Sequence, residues 1–221
     1  MNVLKRWDGQ ITSARVRVAC ATTLTGLLAA ILLFPLCNDA YWRDNRHLAA
    51  DADVSRLIQA IMEADVPEVR RLLGRRTLDL AARDQWGMTA LSHAIAVHGH
   101  PGAESLVSLL IEHGAQVSSP DSYGHTPLMW CASVRDVSLT ERLLREGADV
   151  NARRPDGTSV LHVAVQSDAD PDTVRLLLAA GADPAVRDGE GKTPADYARE
   201  AGFTELARLL DAPVAQTTAL R

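Results

Sequence analysis

Apolar and polar positions follow two different patterns along the 221 residues. From Val18 to Cys37 no side chain other than cysteine is ionisable, a run of 20 residues. At about 1.5 Å of helical rise per residue it reaches about 30 Å, the thickness of a bilayer's hydrocarbon core. From about residue 55 the pattern changes to small apolar groups three to four residues apart, as at Leu139, Leu143 and Leu144 and again at Val174, Leu177 and Leu178. That spacing gathers apolar side chains on one face of short helices, and the Asp, Gly and Pro between the groups mark turns. The first segment predicts a transmembrane or signal helix, and the remainder an all-α chain of helix pairs.

The pairs repeat. Gly-x-Thr or Gly-x-Ser recurs at Gly87, Gly124, Gly157 and Gly191, in steps of 37, 33 and 34 residues. Gly-Ala recurs at Gly114, Gly147 and Gly181, and a Leu-bearing position at Leu72, Leu109, Leu143, Leu177 and Leu209 shares the period. A common period of this length is the mark of a stacked repeat protein. Thr126-Pro127 and Thr193-Pro194 suit helix starts, since Thr caps orphan amides and Pro at the first helical position loses no hydrogen bond. The Gly of each Gly-Ala suits a helix end that closes through a left-handed residue.

Asp121-Ser122-Tyr123-Gly124-His125-Thr126-Pro127-Leu128 resembles the opening of an ankyrin repeat, and Leu143-Leu144-Arg145-Glu146-Gly147-Ala148-Asp149-Val150-Asn151-Ala152 resembles its close. The resemblance extends from Leu57 to Leu210 and implies an ankyrin-repeat solenoid of about five helix-turn-helix units. It implies hairpin-like loops projecting from the helix pairs, and binding rather than catalysis. This chain departs from the pattern at Gly74-Arg75-Arg76-Thr77 in the first unit, at Ser92 and Met129 in place of the motif His, and at Arg154 in place of Asp. His162 keeps the motif position. Less uniform hairpins are expected, most of all around Pro155.

The chain divides accordingly into a basic flank (1–17), an apolar anchor or signal (18–37), a linker (38–54), the repeats (55–211) and a tail (212–221) expected to be flexible. Lys5, Arg6, Arg15 and Arg17 precede the apolar run, which orients its N-terminus toward the cytoplasm. Three readings stay open: an uncleaved anchor, a secretory signal removed after export, and a buried helix of a soluble protein. Either of the first two places the repeats in the periplasm, or in the lumen or exterior of another cell.

Composition narrows the partners. The 23 Lys plus Arg against 28 Asp plus Glu leave a formal charge of -5, with the acidic surplus after residue 47, so nucleic acid is disfavoured. Three scattered cysteines form no disulfide framework or zinc knuckle. His93, His98 and His100 are spaced badly for a metal, which on one helical face wants i and i+4; a solvated loop accounts for them better. No metal, cofactor, catalytic residue or small-molecule substrate is therefore assigned. Cys131 occupies a small-residue slot and reads as a packed thiol.

The partner expected is another protein. Trp86 and Tyr123 each precede a turn Gly and should stand at adjacent hairpin tips, as aromatic anchors of an interface. Gln85, Met88, Ser122, His125, Asp156, Thr158, Glu190 and Lys192 fall on the same row of tips, which grades from aromatic to acidic and so fits a target with an apolar pocket beside a basic patch. Trp130 and Tyr197 align with Val163 and are expected to pack in the core. Two roles fit: an inhibitor or immunity protein, or a scaffold for a periplasmic enzyme such as a catalase. A metal-dependent enzyme built on the histidine cluster is the rival from another class.

Overall fold

The computed structural model describes residues 52–75, 78–167 and 170–211. The expected anchor or signal helix at 18–37, the basic flank, most of the linker and the tail lie outside the described residues. Among the described residues no helix is long and apolar enough to cross a membrane.

Ten helices occur among these residues, in five consecutive pairs. They are α1 (Ala52–Met62) with α2 (Val66–Leu73), α3 (Ala90–Ala96) with α4 (Ala103–Glu112), α5 (Pro127–Val134) with α6 (Val137–Arg145), α7 (Val160–Gln166) with α8 (Pro171–Ala179), and α9 (Pro194–Glu200) with α10 (Thr204–Asp211). Each pair packs on itself, and the first helices stack in order, α1 on α3, α3 on α5, α5 on α7, α7 on α9. The described residues form no extended strand, and one isolated bridge joins Arg153 to Ser159. This is the all-α repeat stack that the 33-residue period predicts, with α1 opening at Ala52.

Short helices of seven to eleven residues are marginal alone, so tertiary packing holds them. Leu57, Ile58, Ile61, Leu72, Leu91, Ile95, Leu106, Leu110, Leu128, Met129, Leu143 and Leu161 are fully buried. Each contributes on the order of 2–3 kcal/mol of apolar burial. Their ends are sealed by side chains as expected: Thr126 Oγ1 accepts from Met129 N at 3.3 Å and Thr193 Oγ1 from Asp196 N at 3.2 Å. Asp65, Asp136 and Asp170 do the same for the second helices. At the other end Gly147 turns left-handed at φ 86, so that Ala148 N reaches Leu143 O at 2.9 Å.

Two departures concern the step from first to second helix. The repeat containing α3 and α4 carries its extra residues in the loop His98-Gly99-His100-Pro101-Gly102, as the 37-residue step implies. Ala64 and Arg135 adopt positive φ (53 and 61) just before a capping Asp, where the fifth repeat uses Gly202, while in the second repeat the left-handed Gly102 is itself the N-cap. A side chain in that conformation costs about 1 kcal/mol.

Candidate functional site: the row of hairpin tips

Each candidate residue sits on or beside a hairpin that precedes a first helix, named here tip 2 (before α3), tip 3 (before α5), tip 4 (before α7) and tip 5 (before α9). Tip 2 shows the local chemistry. Asp84 Oδ1 accepts from Trp86 N at 2.8 Å and Met88 N at 2.9 Å, while Asp84 N donates to Met88 O at 3.0 Å. Asp121 and Asp188 repeat the arrangement at tips 3 and 5. Tip 4 keeps the backbone pairing, Arg154 N to Thr158 O at 2.9 Å, but the carboxylate that closes it belongs to Asp156, whose Oδ1 accepts from Thr158 N at 3.0 Å. Arg154 Nη2 lies 3.0 Å from Asp156 Oδ2.

The second carboxylate oxygen of the turn Asp is held from the helix behind it. His93 Nε2 donates to Asp84 Oδ2 at 3.0 Å, with both side chains buried, and Tyr197 OH donates to Asp188 Oδ2 at 2.7 Å. Burial pushes Asp188 up, yet the donors from Tyr197, Lys192 and Glu190 together outweigh it and leave its pKa lowered. Burial and then the Asp188 contact push Tyr197 well above the usual phenol range. Tyr197, expected in the core, and His93, expected in a solvated loop, instead brace a hairpin, and the sequence carries the signal: each stands nine residues after its Asp. At tip 4 both members of the pair are gone together, Arg154 standing for Asp and Val163 for the brace. At tip 3 Trp130, 7% exposed, turns against His125 with ring centroids 5.6 Å apart, and among the described residues its Nε1 finds no hydrogen-bond partner.

Neighbouring tips are also joined to one another. Ser122 N donates to Trp86 O at 2.8 Å and Gly189 N to Asp156 O at 2.7 Å. The arginine before the turn spans two hairpins: Arg83 Nη1 donates to Gly87 O at 3.2 Å and also to Pro120 O, and Arg153 donates to Gly157 O at 3.1 Å and Arg187 O at 2.6 Å. His162 Nε2 reaches Lys192 O at 3.0 Å on the next tip, while its Nδ1 accepts from the Ser159 hydroxyl at 2.8 Å. These links tie tip 2 to tip 3 and tip 4 to tip 5.

Along the row the expected contacts are unequal. Among the described residues Tyr123 is the large apolar residue most open to solvent, at 43%, and Gln85, Ser122, Asp156 and Glu190 are exposed. Trp86, expected at an open tip, is half-buried, as are Met88, His125 and Lys192. Thr158 is corrected: it is 6% exposed, turned inward, and presents no surface to a partner. Nor does the row end in free acid. Lys192 Nζ lies 3.5 Å from Glu190 and 2.8 Å from Glu200, and Arg187 Nη1 lies 3.9 Å from Asp196. The inner ends of the first helices, at Ala96, Val97, Ser133, Val134, Gln166 and Ser167, are half-buried and continue the surface.

His98 and His100 stand in the exposed inserted loop, with His98 Nδ1 3.2 Å from Asp136 Oδ2. This loop and α6 bound a shallow cavity of about 390 Å³ that Val107 and Leu139 also line. Among the described residues no group of three or more His, Cys, Asp or Glu is placed to hold a metal ion. Cys131 is buried, and burial pushes its thiol well up, away from the reactive thiolate.

Residues 57–154 and 128–217 match the family model described as ankyrin repeats (3 copies). The chain is 27% identical over 197 residues to the B-cell lymphoma 3 protein homolog of Mus musculus, and 29% identical over 197 residues to the human B-cell lymphoma 3 protein. Each match covers 87% of this chain and 41% or 40% of the relative, so the chain spans well under half the length of those proteins. It is also 36% identical over 149 residues to the tyrosine-protein kinase Shark of Drosophila melanogaster, across 66% of this chain and 15% of that kinase.

Proposed function

This chain belongs to the ankyrin-repeat family, and from that premise we propose that it is a non-catalytic binding module that docks another protein on its row of hairpin tips. Ankyrin repeats serve in general as protein–protein interaction modules. One observation carries the finer reading: Tyr123, among the described residues the large apolar side chain left open, at 43%, stands at the middle of a row whose hairpins are tied in two pairs, tip 2 to tip 3 and tip 4 to tip 5. Rigid elements that present an aromatic anchor lose little conformational entropy on association. The half-buried Trp86 flanks it on the preceding tip, and Gln85, Ser122, Asp156 and Glu190 supply a polar rim. The internal pairing of Lys192 with Glu190 and Glu200 leaves apolar complementarity around Tyr123, rather than a basic patch, as the feature a partner must match.

The apolar run from Val18 to Cys37 supports display of this edge on the far side of a membrane, tethered or released, as an inhibitor of an exported protein or as a scaffold for one. The test uses the full chain in cells. A photo-crosslinking residue at Tyr123 should capture a discrete protein that the same group at Arg145, exposed on the second helix of that repeat, does not. Trp86→Ala with Tyr123→Ala should then weaken that partner by about 2 kcal/mol with unchanged helix content. Equal capture at both positions, or unchanged affinity, removes the tips from the interface.

A further inference from the structure

Three kinds of link join one hairpin tip to the next, and the sequence strips all three from a single junction. The first is the backbone stitch, formed where the residue after the turn's first position offers its amide, as Ser122 and Gly189 do. At tip 4 that residue is Pro155, which has no N–H, so the carbonyl of Tyr123 loses the donor that Trp86 O and Asp156 O find. The second is the arginine clamp of Arg83 and Arg153; at tip 3 its position is Pro120. The third is the histidine bridge from a first helix to the following tip, made by His162. In the third repeat the same position is Met129, fully buried and without a donor.

The other junctions keep theirs. Between tips 4 and 5 the stitch, clamp and bridge are all present; between tips 2 and 3 the stitch and clamp are present, with Ser92 in place of the bridge. Spacing is not the cause. A Cβ built on Gly124 would stand 3.2 Å from Arg154 Cα, against 3.1 Å from Asp188 Cα for one built on Gly157, so tips 3 and 4 approach as closely as tips 4 and 5. What differs is hydrogen bonding. The braces from the helix behind are missing at the same place: Arg154 and Val163 replace the Asp and its donor at tip 4, and at tip 3 Trp130 turns onto His125, whose Nδ1 lies 3.4 Å from Asp121 Oδ2.

From this juxtaposition we infer that the array is hinged between its third and fourth repeats: α1 to α6 and α7 to α10 are two pieces that part at the seam between Tyr123 and Pro155. In a stacked array the coupling between halves is set by nearest-neighbour interfaces, so removing links at one interface makes it the place where sub-global opening begins. The helices α5 and α7 and the helices α6 and α8 still pack across the seam, and at its far end from the tips Arg135 Nε donates to Ser167 O at 3.3 Å, so the pieces remain together at rest. The hinge does not depend on what binds the tips, but Tyr123 lies on its edge, so the opening sets the spacing between the two halves of the docking row.

Native-state hydrogen exchange on the full chain tests this. The amides of α7 to α10 should open as one unit, about tenfold less protected than those of α3 to α6. Pro120→Arg with Pro155→Ser restores the clamp donor and the stitch N–H, and should raise the protection of α7 and α8 by about tenfold while leaving α3 and α4 unchanged. Pro155→Ser alone should give part of that rise, and serves if the double variant folds poorly. Amides of α7 and α8 that exchange together with those of α5 and α6 in the natural chain, with α9 and α10 fraying alone, would overturn the hinge. So would a folded variant with unaltered protection.

Discussion

The junction between tips 4 and 5 and the junction between tips 3 and 4 are made from the same framework at the same spacing, yet one is laced and the other bare. Between tips 4 and 5, His162 spans from the Ser159 cap to Lys192 O, Arg153 clamps Gly157 O and Arg187 O, and Gly189 N completes the stitch. Between tips 3 and 4, Met129, Pro120 and Pro155 occupy those three places. Each of the three is a good residue locally. Pro155 pre-sets the turn's φ, Pro120 suits an extended residue, and Met129 fills the core. The comparison teaches that a repeat can satisfy its own turn and core while losing its tie to the next repeat, because the two depend on different atoms of the same residues.

The largest effect that probes this difference comes from crowding the tips. Gly87 and Gly124 both have positive φ, 74 and 84, so an added Cβ is strained at either. At Gly87 it would stand 2.6 Å from Ser122 N, on the backbone that makes the stitch; at Gly124 it would stand 2.5 Å from Pro155 Cδ, across an unstitched gap. Gly87→Ala should therefore cost about 3 kcal/mol by urea denaturation and Gly124→Ala about 1 kcal/mol less, because tip 4 can move aside without breaking a hydrogen bond. Equal costs would mean that the bare junction is as stiff as the laced one.

Converting the laced junction to the bare type comes next. His162→Met places in repeat 4 the residue that repeat 3 carries, keeping volume in a fully buried site while removing the contacts to Ser159 and Lys192 O. Three lost hydrogen bonds, two of them sharing Nδ1, at a net 0.5–1.5 kcal/mol each put the destabilisation at about 2–3 kcal/mol, with the amides of α9 and α10 losing most protection. A loss spread evenly over the whole array would show that His162 serves the core of its own repeat and not the tie to tip 5.

Much of this architecture is legible in the sequence, and the limits have a physical origin. Helix pairs, caps and left-handed glycines follow from local chemistry, which is why Thr126, Thr193 and Gly147 behave as their types require. The position of Tyr123 at an open tip also follows from the register. What composition and period do not show is which way a side chain turns once neighbours press on it. Trp86 is half-covered, Thr158 faces inward, and His93 and Tyr197 bend back to their own turn carboxylates. The missing ties at Pro120, Met129 and Pro155 are visible as letters, but their meaning depends on knowing which atoms the sister residues use.

The smallest effect separates the last repeat's own capping from its tie to tip 4. Asp196 Oδ2 accepts from Thr193 N at 2.9 Å and from the Thr193 hydroxyl at 2.8 Å, and its Oδ1 from Arg199 Nη1 at 2.6 Å. The Thr193 backbone and side chain, and then Arg199, hold the Asp196 carboxyl down from 3.8 to about 2. Its folded pKa lies below the unfolded one, so the stabilisation is present above pH 3.8 and is lost as the pH falls from there through about 2. Asp196→Asn should lower neutral-pH stability by the small amount that ionisation of this partly exposed carboxylate supplies, since an amide oxygen still accepts from Thr193 but no longer pairs with Arg199, while flattening the acid limb between those two pH values for the α9 and α10 amides alone. The laced junction carries no carboxylate in its stitch, in the Arg153 clamp or in the His162 bridge to Lys192 O. An acid limb that shifts equally in α7 and α9 would therefore show that capping in the fifth repeat is transmitted through the ties, and that the lacing couples repeats more tightly than its hydrogen bonds alone require.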